Sequence, residues 1–202
     1  MTEELLRRFK EGQVIIFPTD TLYGIGCSTQ NEATIKRLYE IRRTPLTKPS
    51  LMLVADLGKA KTYADFDQNA EQIAKAIWPG PLTLVLRAKK TTPEIMKSAD
   101  NTVALRVPDQ PPILSVLRKL KMPIIAPSAN FPGDKAPTSF RKIDNKLIGL
   151  VDYALDLSKL PSGKPMLKKQ STILDLSKKP FKIIRAGAIP REEIKKFVEV
   201  QK

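Results

Sequence analysis

The sequence predicts a single α/β domain, because short apolar runs of strand length alternate along it with stretches of helical spacing, and no internal repeat divides it. With 202 residues, 42% of them hydrophobic, the chain can bury a large core as one unit. Polar or hydroxylated residues follow at once where several predicted strands end, which is where open α/β sheets collect ligands.

The elements follow in order. Glu3 to Glu11 carries Leu5, Leu6 and Phe9 at helical spacing and stops at Gly12; Val14 to Phe17 then reads as a buried strand. That strand opens into Pro18-Thr19-Asp20-Thr21-Leu22-Tyr23-Gly24-Ile25-Gly26, where proline fixes φ, the glycines permit close approach, and the hydroxyls can hydrogen-bond a small ligand. By itself this stretch reads better as an ordinary turn after a strand, and only similar segments further along favour a ligand site. Asn31 caps a second helix with Ile35, Leu38, Tyr39 and Arg42 on or beside one face, and Pro45 and Pro49 stop it. Further strands fit Leu51 to Val54, Leu82 to Leu86, Thr102 to Val107, Pro123 to Ala126, Tyr153 to Leu155, Ser171 to Leu176 and Phe181 to Arg185. Helices fit Ala70 to Ile77, Ile113 to Leu120 and Pro190 to Val198, and Trp78-Pro79-Gly80-Pro81 makes a sharp corner. The basic, Lys/Pro/Ser-rich stretch Ser158 to Gln170 reads as a mobile loop, with a lid or substrate-facing role open to it.

Charge and composition exclude several chemistries. Lys and Arg number 35 against 21 Asp and Glu, a formal charge of +14 that favours polyanions such as RNA or nucleotides; a solvated basic surface accounts for it equally well. With no histidine and one cysteine, Cys27, the chain hosts no Ser-His triad, no His-ligated zinc and no internal disulfide. No apolar run approaches the roughly 20 residues that span a bilayer, and the start Met1-Thr2-Glu3-Glu4-Leu5-Leu6 is acidic where a signal peptide is basic, so the expected location is the cytoplasm, with no membrane partner.

Four segments share the pattern of strand end followed by small polar residues: Pro18-Thr19-Asp20-Thr21, Ala126-Pro127-Ser128-Ala129-Asn130, Ser171-Thr172 and Arg185-Ala186-Gly187. Strand alternation puts Thr102 and Arg106 on one face. A guanidinium on the apolar strand Val103-Ala104-Leu105-Arg106-Val107 needs an anion, supplied either by an internal carboxylate or by a ligand. The same choice holds for Arg185, where phosphate is the natural ligand.

These residues, with Trp78-Pro79-Gly80-Pro81-Leu82-Thr83, Ser171-Thr172-Ile173 and Ile184-Arg185-Ala186-Gly187 in one order, resemble the YrdC/TsaC family of threonylcarbamoyl-AMP synthases, through most of the chain. The resemblance implies a single YrdC-like domain over residues 1–202, with a core of about 5–190 and a C-terminal helix of about 190–200. It implies an open, twisted, mixed β-sheet flanked by helices, with a concave basic ligand-binding face. The implied reaction joins L-threonine, bicarbonate and ATP, with Mg2+, into threonylcarbamoyl-AMP and pyrophosphate for tRNA modification. Thr21, Arg106, Ala126 and Ser171 would hold threonine; Arg42, Lys48, Thr102, Ser128, Asn130 and Arg185 would serve ATP. No side chain is implied as acid, base or metal ligand. A cap for Ser128, a turn for Asn130 and a solvated charge for Lys48 are the plainer readings of those residues. Implied partners are tRNA or double-stranded RNA and downstream threonylcarbamoyl-transferase proteins.

The chain departs from the family at Thr44, where an arginine is usual and Arg43 offers a substitute, and at Leu53, Gln110 and Gln170. The resemblance further implies the short, single-domain type, without the C-terminal domain of longer members. Two other readings stay open: a non-catalytic RNA-binding paralogue, and a domain acting on another carbamoyl-adenylate.

Overall fold

The computed structural model describes residues 2–48, 50–160 and 162–201. Helix α1 (Thr2–Lys10) places Glu3 and Glu4 in its first turn and Arg7, Arg8 and Lys10 in its last, which complements the helix dipole, and it buries Leu5, Leu6 and Phe9. Each of those side chains contributes about 1.5–3 kcal/mol on leaving water. Strands β1 (Ile15–Pro18) and β2 (Tyr23–Ser28) form an antiparallel hairpin, with Ile15 opposite Gly26 and Pro18 opposite Tyr23. Sequence patterning reads only the first of these strands, because Gly24 and Gly26 lower the strand propensity of the second. Gly26 is required by close approach: a Cβ there would lie 1.8 Å from the Ile125 carbonyl oxygen.

Asn31 caps α2 (Glu32–Ile41), its side chain accepting a hydrogen bond from the Ala33 amide, as the sequence predicts. Strand β3 (Met52–Leu53), helix α3 (Leu57–Tyr63), helix α4 (Gln68–Ile77), strand β4 (Leu82–Arg87), strand β5 (Thr102–Arg106), helix α5 (Pro111–Leu120) and strand β6 (Ile124–Ile125) follow. Then come helix α6 (Asn145–Leu150), strands β7 (Tyr153–Ala154), β8 (Thr172–Asp175) and β9 (Lys182–Arg185), and helix α7 (Arg191–Lys195). Helices α3 and α6 are absent from the sequence reading: at seven and six residues they show too few turns for periodicity to register.

The strands make one mixed sheet in the order β7-β1-β2-β6-β3-β5-β4-β8-β9, parallel at β1/β7, β3/β5 and β4/β8 and antiparallel elsewhere. Strand alternation divides the core between its faces. Ile16, Ile25, Met52, Leu84 and Leu105 pack in one cluster with Ile35, Leu38 and Ile73. On the other face, Leu53 and Ile124 join Ile15, Phe17 and the apolar sides of α1 and α5. Leu53 pairs with Arg106 in the β3/β5 register, so the face that α1 and α5 cover continues onto β5. Beyond them it is left open, and Ala104, Arg106, Thr83, Ile173 and Arg185 line a cavity there.

The stretch from residue 158 to 170, expected to be mobile, is fastened where it is described. The Lys164 amide donates to Gln110 Oε1 at 2.7 Å and Gln110 Nε2 donates to the Lys164 carbonyl at 3.0 Å. Lys164 Nζ also meets Asp109, and the Leu167 amide donates to the Asp20 carbonyl at 2.8 Å. Gln110, one of the departures from the family pattern, is fully buried in this role.

Candidate functional site

A cavity of about 460 Å3 opens on the uncovered part of the sheet. It brings together eight of the ten residues that sequence reasoning assigns: Thr21, Arg42, Lys48, Arg106, Ala126, Ser128, Ser171 and Arg185. Thr102 lies outside it. It shares a face with Arg106 but sits at the far end of β5, opposite Arg87, with its hydroxyl 2.8 Å from Ser98 Oγ. Asn130 is also outside the lining; its Nδ2 donates to the carbonyls of Phe131 and Asp134, holding the loop after Ser128. The structure thus leaves both outside the cavity lining: Thr102 by its distance along the strand, and Asn130 with its Nδ2 held in an internal turn while its Oδ1 is buried without a partner among the described residues.

Arg106 is 2% exposed and spans the inner wall. Its Nε donates to the Gly80 carbonyl at 2.9 Å, Nη1 to Thr21 Oγ1 at 2.9 Å, and Nη2 to Asp20 Oδ1 at 2.5 Å. The internal carboxylate therefore supplies the counter-charge, and Asp20 faces inward because Arg106 receives it. A guanidinium has five N–H donors, so Arg106 keeps donors beyond these three contacts. Burial pulls its pKa below the ordinary arginine range, and the Asp20 charge opposes that shift. Asp20 Oδ2 is buried with no hydrogen-bond partner.

The hydroxyls cluster beside this pair. Thr19 Oγ1 lies 2.9 Å from Thr21 Oγ1 and closes the β1/β2 turn on the Leu22 carbonyl. Ser171 Oγ sits 2.9 Å from Thr83 Oγ1, and Arg185 donates to both the hydroxyl and the carbonyl of Ser171. Burial, then the neighbouring Arg106 charge, lowers the pKa of Arg185.

The outer wall is cationic. Burial lowers the Arg42 pKa, and among the described residues Arg42 Nη2 hydrogen-bonds only the Asn130 carbonyl, at 3.3 Å. Arg43, at φ +52°, stacks its guanidinium 4.7 Å over the Phe131 ring. Lys48 completes this wall. The lining holds five Lys or Arg side chains and no Asp, Glu or His, and of the five only Arg106 has a carboxylate partner among the described residues. Sequence reasoning left Thr83 without a role; its place beside Pro81 after the Trp78 corner was the available signal. Leu53, Thr44 and Gln170, singled out as departures from the family pattern, all line the cavity.

Fold and site together define an α/β protein with an open, cationic, hydroxyl-bearing cleft on a mixed sheet. A family model described as "Telomere recombination" (Sua5/YciO/YrdC) matches residues 7–187, and the chain belongs to this family. It is 33% identical over 190 residues to the threonylcarbamoyl-AMP synthase of Pyrococcus abyssi, covering 94% of this chain and 54% of that protein. A candidate threonylcarbamoyl-AMP synthase of Methanocaldococcus jannaschii is 33% identical, covering 95% of this chain and 88% of its own length. Among solved structures, P. abyssi Sua5 complexed with L-threonine superposes with a TM-score of 0.88 at 31% identity, over 99% of this chain and 58% of that one. Escherichia coli YciO gives 0.83 at 26%, over 98% and 92%. The chain therefore spans little more than half of the Pyrococcus protein, 54% of its length.

Proposed function

We propose that the chain is a threonylcarbamoyl-AMP synthase, a nucleotidyltransferase that converts L-threonine, bicarbonate and ATP into threonylcarbamoyl-AMP, pyrophosphate and water. The observation that carries this is one cavity holding a buried, donor-bearing Arg106 among the hydroxyls of Thr21, Thr83 and Ser171, beside four cations with no carboxylate partner among the described residues. The relatives named for this activity support the same reading. So does the likeness to a Sua5 that binds L-threonine.

In this reading the threonine carboxylate takes the free donors of Arg106, with Thr21, Ala126 and Ser171 around it. Arg42, Lys48, Ser128 and Arg185 take the nucleotide and its phosphates. The amine combines with CO2 or bicarbonate to give a carbamate, whose oxygen attacks the α-phosphorus in line while pyrophosphate leaves, a reaction that positioning and cationic stabilisation serve. Mg2+ fits as a companion of ATP: the lining offers hydroxyls but no carboxylate, so phosphate oxygens and water would hold the ion, which neutralises the leaving group. A tRNA-modifying role in the cytoplasm accords with the net charge of +14, which favours RNA contact. No helix of the described residues is long and apolar enough to cross a membrane.

The test is pyrophosphate release from ATP, Mg2+ and bicarbonate with and without threonine, with threonylcarbamoyl-AMP identified by mass spectrometry. Arg106→Ala should reduce the threonine-dependent rate at least tenfold, since it removes a charge-assisted contact of about 1.5–3 kcal/mol. Equal release with and without threonine in the unaltered protein refutes the proposal.

A further inference from the structure

We propose that Thr83 is a positioning residue that fixes the direction of the Ser171 hydroxyl proton, so that the pair presents one oriented donor to an anionic oxygen of the amino-acid substrate. This rests on the synthase reading above. Thr83 is 2% exposed, on the open face of β4, opposite Ile173 of β8, and is one of the residues that line the cavity. The only hydrogen-bond partner of that hydroxyl among the described residues is Ser171 Oγ, at 2.9 Å.

Counting donors shows what the pair can do. Each hydroxyl has one proton and two acceptor sites. Arg185 Nη2 donates to Ser171 Oγ at 3.0 Å, and Arg185 Nη2 and Nε both donate to the Ser171 carbonyl, at 2.9 and 3.2 Å, so Ser171 is held from that side as an acceptor. Arginine accepts nothing, so the Ser171 proton cannot turn toward it. The bond between the hydroxyls uses one of the two remaining protons, and whichever oxygen donates in it, one proton is left. With the pair buried and facing the cavity, that proton is available to a ligand. The site lies near both Arg185 and Arg106, whose charges favour a negative oxygen there.

Valine at 83 has the shape of threonine without the oxygen. Ser171 would keep its contacts with Arg185, but its proton would lose the partner that fixes its torsion, and the oriented donor would have to be ordered again by each substrate. The loss falls on the amino-acid end, since of the nucleotide-facing side chains Arg42, Lys48, Ser128 and Arg185 none hydrogen-bonds Thr83, and Arg185 keeps its bonds to Ser171 in the variant. A purely structural hydrogen bond would instead alter stability and leave recognition unchanged.

The experiment titrates threonine at saturating ATP and bicarbonate for the unaltered protein, Thr83→Val and Thr83→Ser, following pyrophosphate, and measures threonine and ATP binding separately by calorimetry without turnover. Thr83→Val should raise the threonine KM and dissociation constant about tenfold, as for one lost oriented hydrogen bond, with kcat and ATP affinity within about twofold. Thr83→Ser should restore both threonine values. Unchanged threonine binding in Thr83→Val, an equal loss for ATP, or failure of serine to rescue overturns the assignment. If Thr83→Val does not fold, Thr83→Ala set against Thr83→Ser decides on the same readings. Should the unaltered protein bind threonine without turnover, the synthase reading falls while the binding comparison still decides on Thr83; should it bind no threonine, both fall.

Discussion

Asp20 Oδ1 and Arg106 Nη2 meet 2.5 Å apart beneath the candidate site, with both side chains almost wholly buried. The pair answers the cost of a guanidinium on an apolar strand. It also joins the β1/β2 turn to β5, so the carboxylate that reads as part of a ligand loop orients the residue proposed to clamp substrate.

Removing one member leaves the other charged and buried. Asp20→Ala should therefore destabilise the empty protein by about 3–5 kcal/mol in denaturant unfolding. Threonine, supplying a carboxylate to the orphaned Arg106, should raise the melting temperature of the variant more than that of the unaltered protein. Equal shifts would show that ligand and Asp20 do not share Arg106.

Gln110 makes two hydrogen bonds to the backbone of Lys164 from a fully buried position. Gln110→Ala should cost about 1–3 kcal/mol and speed amide exchange at residues 162–168 while leaving exchange in α1 and α5 unchanged. Uniform exchange across the chain would mean that this clamp has no local effect.

Gly26→Ala places a Cβ against the Ile125 carbonyl, where backbone must shift to admit it. A loss of about 2 kcal/mol or more in unfolding free energy is expected, with Gly149→Ala as control, since nothing lies within 4 Å of a Cβ there. Equal stability of the two variants would contradict the tight β2/β6 approach.

Asp152 accepts from Arg37 at Nη1 and Nη2 and from the Val14 amide, and the Arg37 hydrogen bond leads in holding its pKa below the ordinary aspartate value. A depressed carboxylate pKa contributes stability above the unfolded value of about 3.9, and that stability is lost as the pH falls through the folded value. Asp152→Asn should cost about 1 kcal/mol at pH 7, with the Arg37 part limited by exposure, and the difference from the unaltered protein should shrink below pH 4. A difference that persists unchanged at pH 3 would rule out the ionised form as its source.

Much of this was legible in the residues themselves. Asn31 announced its cap, the Val14 to Phe17 run its strand, and the arginine of β5 its need for an anion. Strand β2 was hidden because its Gly26 answers to Ile125, a neighbour about a hundred residues away in sequence that no local pattern reveals. The identity of the Arg106 counter-charge was hidden likewise: strand alternation gives a face, and only the tertiary fold decides whether Asp20 or a ligand meets it. Thr102 lies outside the cavity lining because a shared face does not fix position along the strand. The tie between the 158–170 loop and Gln110 was hidden because Gln110 is a neutral residue with no motif around it, and only the fold brings it to the Lys164 backbone.

The cleft also bears on the protein when nothing is bound. Arg42, Arg43, Lys48 and Arg185 face one cavity without a carboxylate partner among the described residues, so their mutual repulsion works against the folded state until an anion arrives. The empty protein should then gain stability from salt, and from inorganic phosphate more than from chloride at equal ionic strength, through screening and through binding to the native state alone. Part of the folding free energy is thereby deferred until a polyanion enters the cleft.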